Sequence, residues 1–183
     1  MQKGPVKRNM ETLKAIFTRR SVRRFSEKRV EDTVLHTILR AGMSGPSAVH
    51  ARPWQFLVVR DKATLGAMAD AGGGGPMEPL RGADFAVLVC GDLHRAFSKA
   101  PDFWIVDGSI AAQNLILAAH DLGVSSVWLG TWPVAERMKA QQALFGLPEH
   151  IVPHSIVAFG YPEKPDDSER DLYDETLVHF EKW

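Results

Sequence analysis

Apolar positions recur at two periods along the chain, and the switches between them mark out the elements. Over residues 10–17, Leu13, Ile16 and Phe17 fall on one helical face, with Asn9 placed to cap it. A second helix is expected over 30–41, where Val34, Leu35, Ile38 and Leu39 form the apolar stripe and Gly42 suits the C-terminal cap. Trp54–Val59 reads as a strand, Lys62–Ala71 as a helix, and the apolar run at 85–90 as a buried strand. The longest pattern covers 104–122 and closes at Gly123. It is so apolar along 110–119 that it should cross the core or a subunit interface. A short strand at 125–129 leads into Gly130, Pro133 opens a helix that runs to Phe145 before Gly146, and 155–159 is the last strand. The tail, 166–183, is polar but finishes with Phe180 and Trp183, so it is expected to pack on something.

Helices and strands alternate, strands are few, and neither repeats nor a long linker divide the chain. One domain over 1–183 is expected, an α/β or α+β sandwich with helices on both faces of one sheet. Composition agrees: 183 residues can bury a substantial core, and 45% hydrophobic with 24% charged residues is the balance of an ordinary soluble globular protein. Lys plus Arg and Asp plus Glu are 22 each, which removes any whole-protein attraction to nucleic acid or to an anionic membrane. No apolar run approaches a membrane span, and the N-terminal residues lack the apolar middle of a signal peptide. Cys90 is the single cysteine, so an intramolecular disulfide is excluded. A core thiol in a reducing cytoplasm is the expectation.

Several standard chemistries are missing. No G-x-G-x-x-G follows a strand, no P-loop exists, and neither H-E-x-x-H nor paired C-x-x-C occurs, so no metal is expected. His150 and His154 are spaced for one helical face, but Pro153 lies between them, and a surface or packing role is expected for both. The run Gly72-Gly73-Gly74-Gly75 has no following Lys, Ser or Thr and is broken by Pro76. It reads as a mobile loop over or near a site.

Three features remain. Arg19-Arg20-Ser21-Val22-Arg23-Arg24-Phe25 is a solvated basic patch, a small nucleic-acid contact, or a phosphate site in which guanidinium forks and a hydroxyl meet phosphate oxygens. Gly45-Pro46-Ser47-Ala48-Val49-His50-Ala51-Arg52-Pro53-Trp54 is either a plain connection or a loop that lets a flat ligand approach the backbone. Trp128-Leu129-Gly130 lies at a strand end, where ligand-binding loops gather.

In this order the three resemble the FMN-dependent nitroreductase family, with a match from Arg19 to Trp183. The family's R-[RH]-S-[VT]-[RK]-x-[FY] segment is met by the arginine cluster. Its P-S-x-x-N-x-Q-P-W is met at Pro46, Ser47, Pro53 and Trp54, with His50 in place of Asn and Arg52 in place of Gln. The stretch 107–115, then 123–130, then Gly160-Tyr161-Pro162-Glu163-Lys164-Pro165 with Arg170, Tyr173 and Asp174, are similar to its remaining motifs.

The resemblance implies a nitroreductase-like sandwich: one central, mostly antiparallel sheet flanked by helices, in a homodimer with shared active sites. It implies that Arg19, Arg20 and Ser21 hold the FMN phosphate and ribityl chain with Arg170, and that Arg23 reaches the pyrimidine edge. Pro46, Ser47, Ala48 and His50 would come from the partner subunit, and Leu129 and Gly130 would offer backbone N–H groups. NADH or NADPH would be the reductant and a nitroaromatic, quinone or similar small molecule the acceptor. The flavin carries the chemistry, with no catalytic side chain. Phe103 and Trp104 are candidates for the substrate mouth or for core packing. Two alternatives stay open: reductive dehalogenation or ligand dehydrogenation by a family variant, and a non-catalytic flavin or small-molecule binding protein.

Overall fold

The structure, a computed structural model, describes residues 10–183, so the Asn9 cap lies outside the described residues. Strand β2 (Phe85–Asp92) is buried along its whole length and forms the centre of the fold. It pairs antiparallel with β1 (Trp54–Val59) on one side and β4 (Ile151–Gly160) on the other. Strand β3 (Ser125–Gly130) completes the order β1-β2-β4-β3, with every pairing antiparallel.

Alternation along β2 explains why its sequence shows no polar face. Phe85, Val87 and Val89 join Val157 and Phe159 under α2 (Asp32–Gly42) and α5 (Phe103–Asp121). Ala86, Leu88 and Cys90 join Ile156 and Ala158 against α3 (Lys62–Ala71) and α4 (Pro79–Gly82). A sheet covered on both faces needs apolar residues at every position. Phe85 and Phe159 stack across the first core with ring centroids 4.7 Å apart. Helix α1 (Thr12–Thr18) lies beside α5, and α6 (Ala135–Phe145) beside α3 and β4. No helix among the described residues is long and apolar enough to cross a membrane.

Some boundaries depart from expectation, each for a tertiary reason. Helix α2 starts at Asp32, because buried Val30 donates its N–H to Asp84 Oδ2 (3.1 Å) and gives its carbonyl to Arg60 (2.9 Å). Pro133 precedes α6 instead of opening it. Strand β4 begins at Ile151, ahead of the expected 155, because Ile151 and Val152 pair with Asp92 and Gly91. The glycine run turns between α3 and α4, where Met77 is buried. The tail departs most. Leu172, Tyr173, Leu177, Phe180 and Trp183 are all exposed on their own chain, so the expected packing is not made there. Cys90 is a core thiol, and burial pushes it up to about 12.

Candidate functional site

The segment that carries the arginines lies along the open edge of β3. Ser21 bridges to Ser126, and the Val22 N–H donates to the Ser126 carbonyl at 3.0 Å. Backbone groups alternate in direction along a strand, so Gly130, four residues on, also turns its N–H and C=O to that edge. Its carbonyl accepts from Arg137 Nη1 at 3.0 Å. Leu129 has the opposite parity: it is paired with Ile156 of β4 and its side chain is buried. Of the two residues expected to offer N–H groups, only Gly130 turns its own outward.

The tail returns to this region at Arg170. Its backbone N–H donates to the Phe17 carbonyl (3.3 Å) and its Nη2 to the Arg19 carbonyl (2.8 Å). Arg19 and Arg170 line one cavity of about 540 Å³ with Phe17, Gln113, Asp171 and Tyr173. Among the described residues neither arginine pairs with a carboxylate, and Arg170 Nε is buried with no hydrogen-bond partner. Two guanidinium groups outside any ion pair, against the single Asp171 carboxylate, give this cavity a positive excess that suits an anion with several oxygens, such as a terminal phosphate. Ser21 and Arg23 are exposed on the adjoining segment, and Arg23 Nη1 donates to the Ser21 carbonyl (3.3 Å).

Arg20 is the exception. Expected on the phosphate with Arg19, it turns the other way, as alternate residues of an extended segment do. Its guanidinium donates to Ser168 O (2.6 Å) and Ser168 Oγ (2.7 Å) and lies 3.4 Å from Asp166 Oδ2. It therefore ties down the tail just before Arg170.

The Pro46–His50 residues stand apart from these arginines within the chain. Ser47 Oγ accepts from the Arg52 N–H (3.0 Å), and the Ala48 N–H donates to Asp107 Oδ1 (2.9 Å). Pro46 and Ser47 are half-buried or exposed, and His50 is exposed. The backbone is left-handed at three non-glycine residues: Val49 (φ 46°), His50 (φ 59°) and Arg52 (φ 50°). Such conformations cost of order 1–3 kcal/mol each and gather at ligand clamps. Asp107 holds the turn from α5. It is 2% exposed, and its Oδ2 is buried with no partner. Burial raises its carboxyl above the usual range, opposed by the Ala48 hydrogen bond. Asp107 and Gln113 share α5, about 9 Å apart along its axis. One helix thus links the loop to the arginine cavity.

The family model described as Nitroreductase family matches residues 16–73 and 74–161. The chain belongs to the nitroreductase family. A relative from Methanothermobacter thermautotrophicus, named "Putative NADH dehydrogenase/NAD(P)H nitroreductase", is 42% identical over 174 residues, covering 95% of this chain and 88% of its own length. A solved structure of the same name from Bacteroides thetaiotaomicron superposes with a TM-score of 0.86 at 40% identity, covering 94% of this chain and 98% of that one. An FMN-dependent nitroreductase structure from Clostridium difficile gives a TM-score of 0.84 at 29% identity, covering 94% and 98%.

Beside the nitroreductase-family motifs lies an aromatic cluster that sequence reasoning reached only in part. Phe103 is exposed, but Trp104 is buried. Its indole lies against Gly91, where an added Cβ would collide with it, and meets Trp132 edge-on at 6.5 Å. Trp104 is therefore core and not a surface mouth residue, because only glycine at 91 lets the ring lie flat on the sheet. His154 sits edge-on to Trp104 (5.9 Å) and Trp128 (5.6 Å). Ser109 Oγ donates to the Ile105 carbonyl (2.8 Å), so it accepts from His154 Nε2 (3.2 Å), and Ser155 Oγ is then the donor to Nδ1 (3.0 Å). That pattern satisfies a neutral imidazole, and burial pushes it down to about 4.

Asp107 and Gln113 fall in the 107–115 stretch that resembles a family motif but carried no assigned role, and Arg137 was missed. Asp107 did leave a signal, a lone carboxylate inside the most apolar helix of the chain.

Proposed function

We propose that this nitroreductase-family chain is an FMN-dependent NAD(P)H oxidoreductase. It acts on nitroaromatic, quinone or similar small acceptors, as one domain (1–183) in a cytoplasmic homodimer with shared sites. The observation that carries the reading is the Arg19–Arg170 pair: two guanidinium groups outside any ion pair that line one cavity, with the buried Arg170 Nε left without a hydrogen-bond partner. With the Ser21 hydroxyl they suit the terminal phosphate of FMN, and the outward N–H of Gly130 suits a ring nitrogen. Bound there, FMN supplies the transfer of electrons from NAD(P)H to the acceptor.

The chain's own residues then have separable tasks. Arg19, Ser21 and Arg170 bind the phosphate. Arg20 fixes the tail through Asp166 and Ser168 and so aims Arg170. Arg23 places a fixed positive charge where negative charge gathers on reduction. Gly130 donates from the strand edge. Pro46, Ser47, Ala48 and His50, held by Asp107, cover the partner subunit's site. No side chain acts as a nucleophile, and Cys90 is too deeply buried to serve as one.

The purified protein should be yellow, and heat should release FMN. Recovery of FAD as the sole flavin, or no uptake of FMN, overturns the reading. The left-handed Arg52 and His50, where the resemblance expects Gln and Asn, favour one second reading, a flavin binder without turnover. NAD(P)H oxidation with and without an added acceptor separates the two.

A further inference from the structure

We propose that Asp92, His94 and His150 form a binding site for one divalent transition-metal ion of the Zn²⁺ type. They come from two separated segments: Asp92 ends β2, His94 lies in the turn that follows, and His150 immediately precedes β4. The sequence hides this arrangement, because the neighbour spaced for ligation with His150 is His154, which belongs to the aromatic cluster. The fold gives His150 a different partner.

The two segments are pinned together by their backbones. The Leu93 N–H donates to the His150 carbonyl at 2.8 Å, and the His94 N–H donates to Asp92 Oδ1 at 3.0 Å. The two imidazoles stack face to face, with centroids 4.0 Å apart and planes 7° from parallel. One donor atom from each of the three side chains lies within 4.8 Å of the others. Among the described residues no lysine or arginine pairs with Asp92, so its negative charge is uncompensated beside two nitrogen donors.

The donor set selects the ion. Two imidazole nitrogens and one carboxylate oxygen suit Zn²⁺ and its transition-metal neighbours, whereas Ca²⁺ and Mg²⁺ call for oxygen ligands. Tetrahedral bonds of 2.0–2.2 Å put donors about 3.3 Å apart, so the trio draws in by at most about 1.5 Å. Parallel rings must also tilt before both lone pairs meet one point. His94 is exposed and free to make both adjustments by side-chain rotation, while Asp92 is only 9% exposed and held at the strand end. Three protein ligands leave at least one position for water. None of the three residues is among those proposed to hold FMN, so the site stands or falls independently of that reading. Asp92 is further held by its backbone, whose N–H donates to the Pro53 carbonyl at 2.7 Å.

The test is calorimetric titration of tag-free, chelator-stripped protein with zinc chloride. One Zn²⁺ per chain with a Kd of about 10 µM or tighter is expected for the unaltered protein. His94→Ala and Asp92→Asn should each weaken it at least tenfold, while His36→Ala, at an exposed histidine of α2, leaves it unchanged. Circular dichroism of each variant checks the fold, which these positions at the sheet's end should not upset. Absence of saturable binding by the unaltered protein overturns the proposal, as does equal affinity in His94→Ala and the parent.

Discussion

Strand β2 and the C-terminal arm are both rich in large apolar side chains, yet they meet opposite surroundings. All of β2 from Phe85 to Asp92 is buried, covered by helices on both faces. In the arm, Leu172, Tyr173, Leu177, Phe180 and Trp183 are each at least 74% exposed. Apolar surface gains nothing by facing water, so the first region is explained within one chain and the second is not. Among the described residues, hydrogen bonds to the body hold the arm at Arg170 and just before it, through Arg20 and the Phe17 and Arg19 carbonyls. A second copy is the surface that the proposed homodimer supplies.

The largest test of this contrast is removal of residues 172–183. Helical and strand content should persist, while sedimentation at micromolar concentration should show a dimer for the full chain and a monomer for the truncated one. An unchanged dimer would show that the arm's apolar residues are not what joins the copies. In the core the opposite pattern holds. Phe159→Ala removes a fully buried ring stacked on Phe85 and should cost about 3–5 kcal/mol in denaturant unfolding. A loss below about 1 kcal/mol would mean that the core collapses around the gap.

A smaller effect comes from His154. An unfolded imidazole titrates near 6.5, but the buried native one is held down to about 4, so the unfolded chain binds the extra proton between those values. Stability is therefore complete above about pH 6.5 and falls as pH drops toward 4, by about 3 kcal/mol. His154→Gln should flatten that slope, and parallel pH profiles for parent and variant would refute the assignment. Smallest is Arg170→Ala. It should weaken FMN by about 1.5–3 kcal/mol, the worth of a hydrogen bond to a charged group, and riboflavin hardly at all. Equal losses for both ligands would make Arg170 a support for the arm and not a phosphate ligand.

How legible each region was follows from where its determinants lie. The limits of β1 and α3 matched expectation because their signals are local. Pro53 precedes the strand, and Asp61 caps the helix, its Oδ2 accepting from the Thr64 N–H at 2.7 Å. Gly146 likewise ends α6 in a left-handed conformation (φ 59°). The first four residues of β4 were hidden by Pro153 and His154, which look like loop residues until β2 is placed beside them. At the site, the motifs identified the loop and the arginine segment, but not the direction in which each side chain turns. Arg20 reads like Arg19 in a string of arginines, and only the extended backbone sends it to Asp166 and Ser168. Asp107 lay in a motif-like stretch, but its bond to the Ala48 N–H, like that of Arg137 to the Gly130 carbonyl, is a contact that no spacing rule encodes.

The deep burial of Cys90 has a practical consequence. Its thiol is inert at ordinary pH and, as the chain's single sulfhydryl, leaves a silent background for maleimide chemistry. A cysteine placed at exposed Leu177 would take up a fluorophore or spin label alone. Such a probe, quenched or broadened by its counterpart on a second copy, would report the distance between arms directly, without touching a residue that the flavin needs.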